Sequence, residues 1–187
     1  MKQRAESYCV NLVCRQCGEG FSHSGTRGRT PLYCSATCRQ RAKRARDAQR
    51  FPVEMMGKRW ARAAGKRPVM PCGAAASSTD RSTWSVFEDV QRGAGDGFGV
   101  MLGDGLGCYD LDDCFGPGGV LLPWARECVR GITEPVVFVE RSVSGNGLHV
   151  FVRAGERRGY RRGGVEFYSR GRFIRTTGNR VEVGSYV

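Results

Sequence analysis

The sequence has no apolar run of about 18 residues, the length that a membrane-spanning helix needs. Its polar first six residues do not form a secretory signal, and no internal repeat is present. These absences exclude membrane-spanning and repeat proteins, and they predict a cytoplasmic protein without a membrane partner. At 187 residues the chain is expected to hold a small module and one core-bearing domain, without room for a helicase.

Acidic residues are scarce in the first 70 positions, which hold 16 Lys and Arg against 4 Asp and Glu. Residues 71–187 hold 14 of each kind, so the whole formal charge of +12 lies in the first part. Such an excess favours a polyanion, and we expect salt-sensitive, mostly sequence-independent binding of DNA or RNA phosphate. The predicted domains are a basic module at residues 1–50 and an electrically more balanced domain at residues 51–187.

Nine cysteines without an export signal are typical of a reducing cytoplasm, where disulfides are rare. Four of them form a Cys-x2-Cys and a Cys-x3-Cys pair with 16 residues between them: Cys14, Cys17, Cys34 and Cys38. This spacing predicts a closed structural zinc site that stabilises a small fold and takes no part in catalysis. Ordinary buried thiols or disulfides are the alternative, and Cys9 and His23 are possible substitutes as ligands.

Residues 39–50 directly follow the second cysteine pair and combine good helix propensity with little apolar surface. They resemble the helix that follows the second cysteine pair in small treble-clef-like zinc modules. Basic side chains surround much of this predicted helix, so a solvated surface is the alternative. We expect five of them to contact nucleic-acid phosphate: Arg39, Arg41, Lys43, Arg44 and Arg46.

Carboxylates lie in or beside two short apolar runs of the second domain. Because side chains alternate along a strand, Asp110 and Asp112 would share one face, about 7 Å apart along the chain. Oxygen ligands of this kind suit Mg²⁺ or Mn²⁺, completed by substrate phosphates and water. Glu166 interrupts the second run and can join them if its neighbours face a core. The alternatives are a turn that Asp112 ends and a solvated hairpin around Glu166.

A glycine turn precedes His149, which lies at the start of the strand-like run of residues 148–152. Such a turn presents backbone N–H groups to an anion, and a serine hydroxyl adds a donor. The residues concerned are Ser144, Gly145 and Gly147. Arg172 and Arg175 offer guanidinium groups that suit phosphate oxygens. A plain turn and a strand histidine satisfied by a carbonyl are the alternatives, but the combination predicts metal-dependent phosphoryl transfer.

The pattern of apolar and turn residues predicts an α+β domain with helices largely on one face of a sheet and the carboxylates on its open face. Helices are expected at residues 55–64, 83–91 and 123–129, with a loop at residues 65–78. Strands are expected at residues 98–102, 107–111, 136–139, 148–152, 164–168 and 173–176. The Gly-Asp-Gly sequence at residues 103–105 predicts that the first two strands form a hairpin.

The order of these motifs resembles the phage and plasmid primase-polymerases of the archaeo-eukaryotic primase superfamily, over roughly residues 53–180. The similar segments are Asp110-Leu111-Asp112, residues 140–149, residues 165–168 and 171–173, and Thr177-Gly178, with residues 65–68, 83–87 and 97–100 upstream. The resemblance implies an archaeo-eukaryotic primase-like catalytic domain, with an RNA-recognition-like mixed sheet and helices, after the zinc module.

The resemblance also implies an activity, a DNA primase/polymerase that performs template-directed nucleotidyl transfer with two Mg²⁺ or Mn²⁺ ions. Asp110, Asp112 and Glu166 would bind the metals. Ser144 and His149 would contact the incoming nucleoside triphosphate at the turn of Gly145 and Gly147, with Arg172 as an additional contact. A DNA template and primer are the expected macromolecular partners.

The setting implied is replication of phage or plasmid DNA, including primer synthesis, in the cytoplasm of a bacterial host. Since many members of this family continue into a helical region and a helicase, a replicative helicase or a companion chain is a further expected partner. Two alternatives belong to other classes. One is a non-catalytic zinc-containing DNA-binding or replication-initiation protein on the same scaffold, against which the complete carboxylate and histidine set argues. The other is a metal-dependent nuclease, which would degrade DNA without nucleotides.

Overall fold

The computed structural model describes residues 9–24, 30–48 and 50–182. The chain divides into two compact units, Met1–Arg50 and Phe51–Val187. Among the described residues, no helix has the length and apolar character needed to cross a membrane.

The first unit consists of an antiparallel hairpin and one helix. Its elements are β1 (Cys9–Val13), β2 (Gly20–Ser24) and α1 (Ala36–Ala48). The helix predicted at residues 39–50 is therefore confirmed, with a start three residues earlier. The three apolar clusters found among the described residues all lie in the second unit. Since Cys14 and Cys38 are buried in the first unit, cysteines occupy the place that an apolar core would take.

The second unit contains a five-stranded and a four-stranded sheet. The strands of the first sheet are β6 (Leu106–Leu111), β7 (Val136–Arg141), β8 (Leu148–Arg153), β9 (Tyr160–Arg162) and β10 (Val165–Tyr168), in the order β7-β8-β6-β10-β9. Those of the second are β3 (Trp60–Ala64), β4 (Arg67–Val69), β5 (Gly97–Met101) and β11 (Phe173–Thr176), in the order β11-β5-β3-β4. The α+β class is therefore confirmed.

Helical segments in this unit are short. The α-helices are α2 (Phe87–Val90) and α3 (Pro123–Arg130), and 3-10 turns occur at Val53–Met55, Arg81–Thr83 and Pro117–Gly119. The helix predicted at residues 123–129 is confirmed by α3, which begins with proline, a residue that is favoured at the first helical position. Every strand pairing among the described residues is antiparallel, whereas a mixed sheet was expected.

The five-stranded sheet has an apolar cluster on each face, because side chains alternate along its strands. On one face, Cys108 and Phe151 belong to a buried cluster with Trp60 of the four-stranded sheet. On the other face, Tyr109 and Val150 pack in a cluster with residues of α3. The first face carries Asp110 beyond Cys108, so the carboxylates lie where the sheet-to-sheet packing ends.

Two predicted helices differ from the structure. Residues 60–64 form β3 where a helix was expected, and the guanidinium group of Arg62 is buried there against the carbonyl oxygens of Val90, Ala94 and Gly95. Pairing with β4 and β5 overrides the helix propensity of the alanine-rich segment. Only residues 87–90 of the second predicted helix are α-helical.

The predicted hairpin at residues 103–105 is wrong, although both of its strands exist. Gly103, Asp104 and Gly105 all have positive φ, so the chain does turn there. The strands then part, because β5 pairs with β11 and β3, while β6 pairs with β8 and β10. The turn therefore transfers the chain from one sheet to the other. Strands β4 and β9 were not predicted, whereas the remaining predicted strands are confirmed within about two residues.

The packing of β5 between its neighbours can be tested at Gly99. A Cβ atom there would lie 2.2 Å from the carbonyl oxygen of Ile174 and 2.6 Å from Cζ of Phe173. Because the backbone of β11 would have to move, we expect Gly99→Ala to lower the free energy of unfolding by at least about 2 kcal/mol in urea titrations. Gly155→Ala is the control, since a Cβ atom at Gly155 meets no atom within 4 Å. Equal losses in both variants would contradict this packing.

Candidate functional site

The four cysteines of the first unit meet at one point. Their sulfur atoms all lie within 4.8 Å of one another. The Sγ atoms of Cys17 and Cys34 are 3.7 Å apart, and those of Cys34 and Cys38 are 3.6 Å apart. In a tetrahedral site with Zn–S bonds of about 2.3 Å, neighbouring sulfurs would be roughly 3.8 Å apart. The four cysteines could therefore hold a metal ion such as zinc.

Local hydrogen bonds position these cysteines. A tight turn follows β1, in which the Gly18 amide donates to the Cys14 carbonyl and the Cys14 amide donates to the Glu19 carbonyl, both at 2.9 Å. The Ser35 hydroxyl accepts from the Cys38 amide at 3.1 Å, as a side chain does when it caps the start of a helix. The turn and the cap thus bring the two cysteine pairs together without an apolar core.

The crowded thiols differ in acidity. Burial opposes ionisation of Cys14, but hydrogen bonds from the backbone of Cys34, Cys17 and Gln16 lower its pKa to about 6. Hydrogen bonding with Cys38 and Cys14, together with burial, raises the pKa of Cys34 to about 12. The Cys14 thiolate therefore forms readily. Ionisation of Cys34 is opposed, because two negative charges would then be adjacent. A bound divalent cation would stabilise all four thiolates.

The other residues predicted for the first unit lie outside this cluster or outside the described part. His23 lies half-buried on β2 and is not a member of the cysteine cluster. The side chains of Cys9, Arg44 and Arg46 lie outside the described residues. Arg39, Arg41 and Lys43 are exposed on α1, where phosphate could reach them.

In the second unit, strand register places five polar side chains in a line across one face of the five-stranded sheet. Asp110 of β6 lies opposite His149 of β8 on one side and opposite Glu166 of β10 on the other. His149 in turn lies opposite Glu140 of β7, and Glu166 lies opposite Arg161 of β9. We call these five residues the cross-strand row. Three of them are predicted site residues, Asp110, His149 and Glu166.

His149 lies between two carboxylates. Its Nδ1 is 3.0 Å from Oε1 of Glu140, and its Nε2 is 3.5 Å from Oδ1 of Asp110. Burial acts to lower the pKa of His149, but the Glu140 hydrogen bond and the charges of Glu140 and Asp110 outweigh it, so that the pKa is raised. The positively charged imidazolium is therefore favoured, and it can donate a hydrogen bond on both sides.

Glu140 was not singled out from the sequence. It is completely buried, and its Oε2 accepts hydrogen bonds from the Thr177 and Gly178 amides at 3.0 and 2.7 Å. Its Oε1 faces the His149 ring, so the carboxylate orients the imidazole from behind. In the sequence, Glu140 is visible only as a glutamate directly after the apolar residues 136–139. The strand register shows that this glutamate faces His149.

The environment of Asp110 disfavours its ionised carboxylate. Burial raises the pKa of this carboxyl, and the charges of Asp112 and Glu166 raise it further, while His149 opposes them. A cation close to Asp110 would therefore be favourable.

Two arginines and a tyrosine surround the Glu166 carboxylate. It accepts a hydrogen bond from the Tyr168 hydroxyl at 2.9 Å and forms ion pairs with Arg161 at 3.1 Å and Arg172 at 3.5 Å. The predicted contact Arg172 is therefore adjacent to the row, and Arg161 is an additional neighbour that the sequence did not indicate. Arg175 lies elsewhere, where it pairs with Asp96 and donates to the Gly65 carbonyl.

Asp112 lies one residue beyond β6 with an exposed side chain, and its amide donates to the Gly164 carbonyl at 2.8 Å. Among the described residues, only the four cysteines bring three or more potential metal ligands into one close group. Asp112 and Glu166 thus lie near Asp110 without converging on a single point, and Glu166 is turned towards the arginines.

The glycine turn reaches the same end of the sheet. Gly145 has φ of 79°, and the Ser144 hydroxyl accepts from the Asn146 amide at 3.3 Å. A Cβ atom at Gly147 would lie 2.9 Å from the Leu111 carbonyl oxygen, so glycine is needed for this close approach. The Asn146 carbonyl accepts from the amide of Cys114, two residues after Asp112. The glycine turn therefore lies beside the segment that carries Asp112. The Ser144 hydroxyl also stabilises the turn through its hydrogen bond with the Asn146 amide.

Metal analysis of the purified full-length protein tests the cysteine cluster. We expect about one zinc ion per chain, and Cys34→Ser should lose it, because a closed tetrahedral site needs all four thiolates. Cys72→Ser is the matched control, since Cys72 is exposed and lies outside the cluster. Mass spectrometry of the metal content gives the ratio. An unchanged zinc content in Cys34→Ser would show that the metal is bound elsewhere.

Replacement of Glu140 tests the line of residues behind the histidine. Glu140→Gln places an amide N–H₂ group among the donors of Thr177, Gly178 and His149, so we expect the free energy of unfolding to fall by about 1–3 kcal/mol. Glu127→Gln, on the exposed surface of α3, should change it by less than about 0.5 kcal/mol. Chemical denaturation in metal-free buffer measures both, and equal values would contradict the role of Glu140.

The free energy of unfolding of the wild type and of Glu140→Gln should depend on pH in different ways. Since folding raises the pKa of His149, the stability that its imidazolium contributes is complete below the unfolded value of about 6.5. It is lost as the pH rises through the folded value. Wild-type stability should therefore decline more steeply across this interval than that of Glu140→Gln. Parallel curves would show that Glu140 does not stabilise the imidazolium.

Comparisons with known proteins do not assign a function to this chain. No protein-family model matches the chain, and no curated protein matches it. Any function of the cross-strand row therefore rests on its residues, their register and their chemistry.

Proposed function

We propose that the second unit is the catalytic domain of a DNA primase/polymerase, which performs template-directed nucleotidyl transfer. The observation that carries the proposal is the register that places His149, Asp110 and Glu166 side by side on three adjacent strands. Carboxylates that can hold metal ions, a cationic side chain and a backbone turn that can contact phosphate are parts that phosphoryl-transfer sites use. A sheet with α3 behind it and the carboxylates on the other face supports a primase-like fold, whereas its antiparallel pairing among the described residues departs from the mixed sheet expected of one.

The donor chemistry suits hard divalent cations, and the three carboxylates would have to converge when an ion binds. Asp110, Asp112 and Glu166 would hold Mg²⁺ or Mn²⁺, since all three offer carboxylate oxygens and the raised pKa of Asp110 favours a nearby cation. When bound, such ions lower the pKa of an attacking 3′-hydroxyl and neutralise charge on the departing pyrophosphate.

The remaining residues would bind and orient the triphosphate. Glu140 holds the His149 ring in place, and the imidazolium that this environment favours suits a phosphate oxygen. Arg161 and Arg172 bring positive charge to within 3.5 Å of the Glu166 carboxylate, where the triphosphate would need it. Backbone N–H groups around Gly145, with Ser144, are the candidate anion contacts of the turn.

The first unit supports this function by binding nucleic acid. A zinc ion in the cysteine cluster would stabilise the hairpin and the start of α1. Arg39, Arg41 and Lys43, exposed on the helix, would then contact the phosphates of a DNA template or primer. A replicative helicase or companion chain and a phage or plasmid replication context complete the proposal.

Incorporation of labelled nucleotides tests the activity directly. We expect product on a single-stranded template with Mg²⁺ or Mn²⁺, from deoxyribonucleoside or ribonucleoside triphosphates, and lanes without primer separate priming from extension. Asp110→Asn and Asp112→Ala should each lower the rate by at least about 100-fold, because charge stabilisation at the reacting phosphate is lost. Asp113→Asn is the matched control, since Asp113 has φ of 46° and asparagine tolerates that conformation.

Other outcomes indicate the alternatives. No product in any lane, with salt-sensitive DNA binding intact, would favour a non-catalytic zinc-containing DNA-binding or replication-initiation protein. DNA degradation without added nucleotides, abolished by Asp110→Asn, would indicate a nuclease. Equal activity of the Asp110, Asp112 and Asp113 variants would overturn the assignment of the cross-strand row.

A further inference from the structure

Arginine is concentrated around one hairpin of the second unit. Residues 157–172 contain six arginines, no lysine and one acidic residue, Glu166. The arginines are Arg157, Arg158, Arg161, Arg162, Arg170 and Arg172. Residues 71–187 as a whole are electrically balanced, with 14 residues of each sign, so the overall count conceals this local excess.

The hairpin forms one edge of the five-stranded sheet. Strand β9 is the last strand in the sheet order and pairs with β10, and all three of its residues are exposed. Arg161 faces the side of the cross-strand row, because it lies opposite Glu166. Arg162 faces the opposite side, where its guanidinium carbon lies 5.6 Å from the centre of the Tyr160 ring. Positive charge therefore extends around the edge of the sheet.

Half of these arginines are compensated by carboxylates. Arg157 pairs with Glu134, and Glu166 pairs with both Arg161 and Arg172. The other three are exposed and have no carboxylate oxygen within 4.0 Å among the described residues: Arg158, Arg162 and Arg170. These three guanidinium groups are available to an external anion.

An exposed indole adjoins the tip of the hairpin. Trp124, in the first turn of α3, is 38% exposed, whereas Trp60 and Trp84 are buried. A Cβ atom at Gly164 would lie 3.1 Å from Cη2 of Trp124 and 3.2 Å from the Asp112 carbonyl oxygen. The indole, the hairpin tip and the segment that carries Asp112 are thus neighbours.

We propose that this arginine hairpin, residues 157–172, together with Trp124 binds a single strand of nucleic acid beside the cross-strand row. Guanidinium groups suit phosphate oxygens, and aromatic side chains that stack on bases make single-strand binding tolerant of sequence. The surface is additional to α1. The identification of the bound strand as template or primer rests on the proposed function. Binding itself requires neither metal nor turnover.

The geometry favours an extended strand over other phosphate ligands. Arg161 and Arg162 point to opposite faces of the sheet, so a compact triphosphate cannot contact both, whereas a polymer can follow the edge. A duplex keeps its bases stacked inside and would offer no base face to Trp124. The occupant that uses both the arginines and the indole is a single strand.

The test is equilibrium binding by the full-length protein to a fluorescent single-stranded DNA of about 20 nucleotides, without metal or nucleotides. The variant combines Arg158→Gln, Arg162→Gln and Arg170→Gln, which leaves Arg161 and Arg172 in place. We expect an affinity loss of at least about tenfold, and a slope of log affinity against log salt that is smaller by about 2, since each lost phosphate contact removes roughly 0.7.

A matched control carries the same change of charge elsewhere on the second unit. Lys58→Gln, Arg92→Gln and Arg130→Gln replace three exposed basic residues outside the hairpin. This control should keep most of the affinity and of the salt slope. Equal losses in the two triple variants would show an effect of net charge and overturn the proposal. An equal loss for a duplex or for free dTTP would overturn the assignment to a single strand.

Tryptophan fluorescence provides an independent reading, because Trp124 is the exposed indole among the three. Single-stranded DNA should quench part of the protein fluorescence, and Trp124→Phe should abolish that quenching. Quenching that persists in Trp124→Phe, or none in the wild type, would overturn the stacking contact. Hairpin-dependent binding by a protein with no polymerase activity would contradict the proposed function alone, so the two failures are distinguishable.

Discussion

The arrangement of the second unit depends on the pairing of β6 with β8 and β10. Because side chains alternate along each strand, a slip of one residue would turn Asp110 towards the α3 side and bring Tyr109 to the site. The apolar clusters on both faces oppose such a slip. Glu140 adds a polar constraint, since its buried carboxylate is satisfied only with His149 in front and the Thr177 and Gly178 amides behind. Apolar packing thus holds charged groups in register.

Charge is distributed in the chain so that each region has a separate physical task. The cysteine cluster replaces an apolar core in the first unit, and a bound cation would stabilise its thiolates. The cross-strand row concentrates negative charge where burial makes a cation favourable. The arginine hairpin ends that row with positive charge at the sheet edge, beside the exposed Trp124. Under the functions proposed above, the complementary ligands of these regions would be a cation, a nucleotide phosphate and a nucleic-acid strand.

The expectations that failed were those that depended on partners distant in sequence. Residues 60–64 have the composition of a helix, yet they form β3 because β4 and β5 offer backbone partners and buried carbonyls accept from Arg62. The Gly-Asp-Gly turn was located correctly, but the strands beside it enter different sheets. Glu140 and Arg161 were missed for the same reason, since each acquires its role from the residue opposite it on another strand.

Local features could be predicted from the sequence: the cysteine pairs, the helix after them, most strands, and the carboxylate, glycine and histidine motifs. These follow from backbone preference and side-chain chemistry, which act over a few residues. The sheet order, the neighbours of Asp110 and the burial of Glu140 follow only from the tertiary structure, which also shows which arginines of residues 157–172 lack a carboxylate at the sheet edge. The balanced total charge of residues 71–187 conceals the local excess of arginine. Register and burial cannot be predicted from local patterns, because they are set by contacts between segments far apart in the chain.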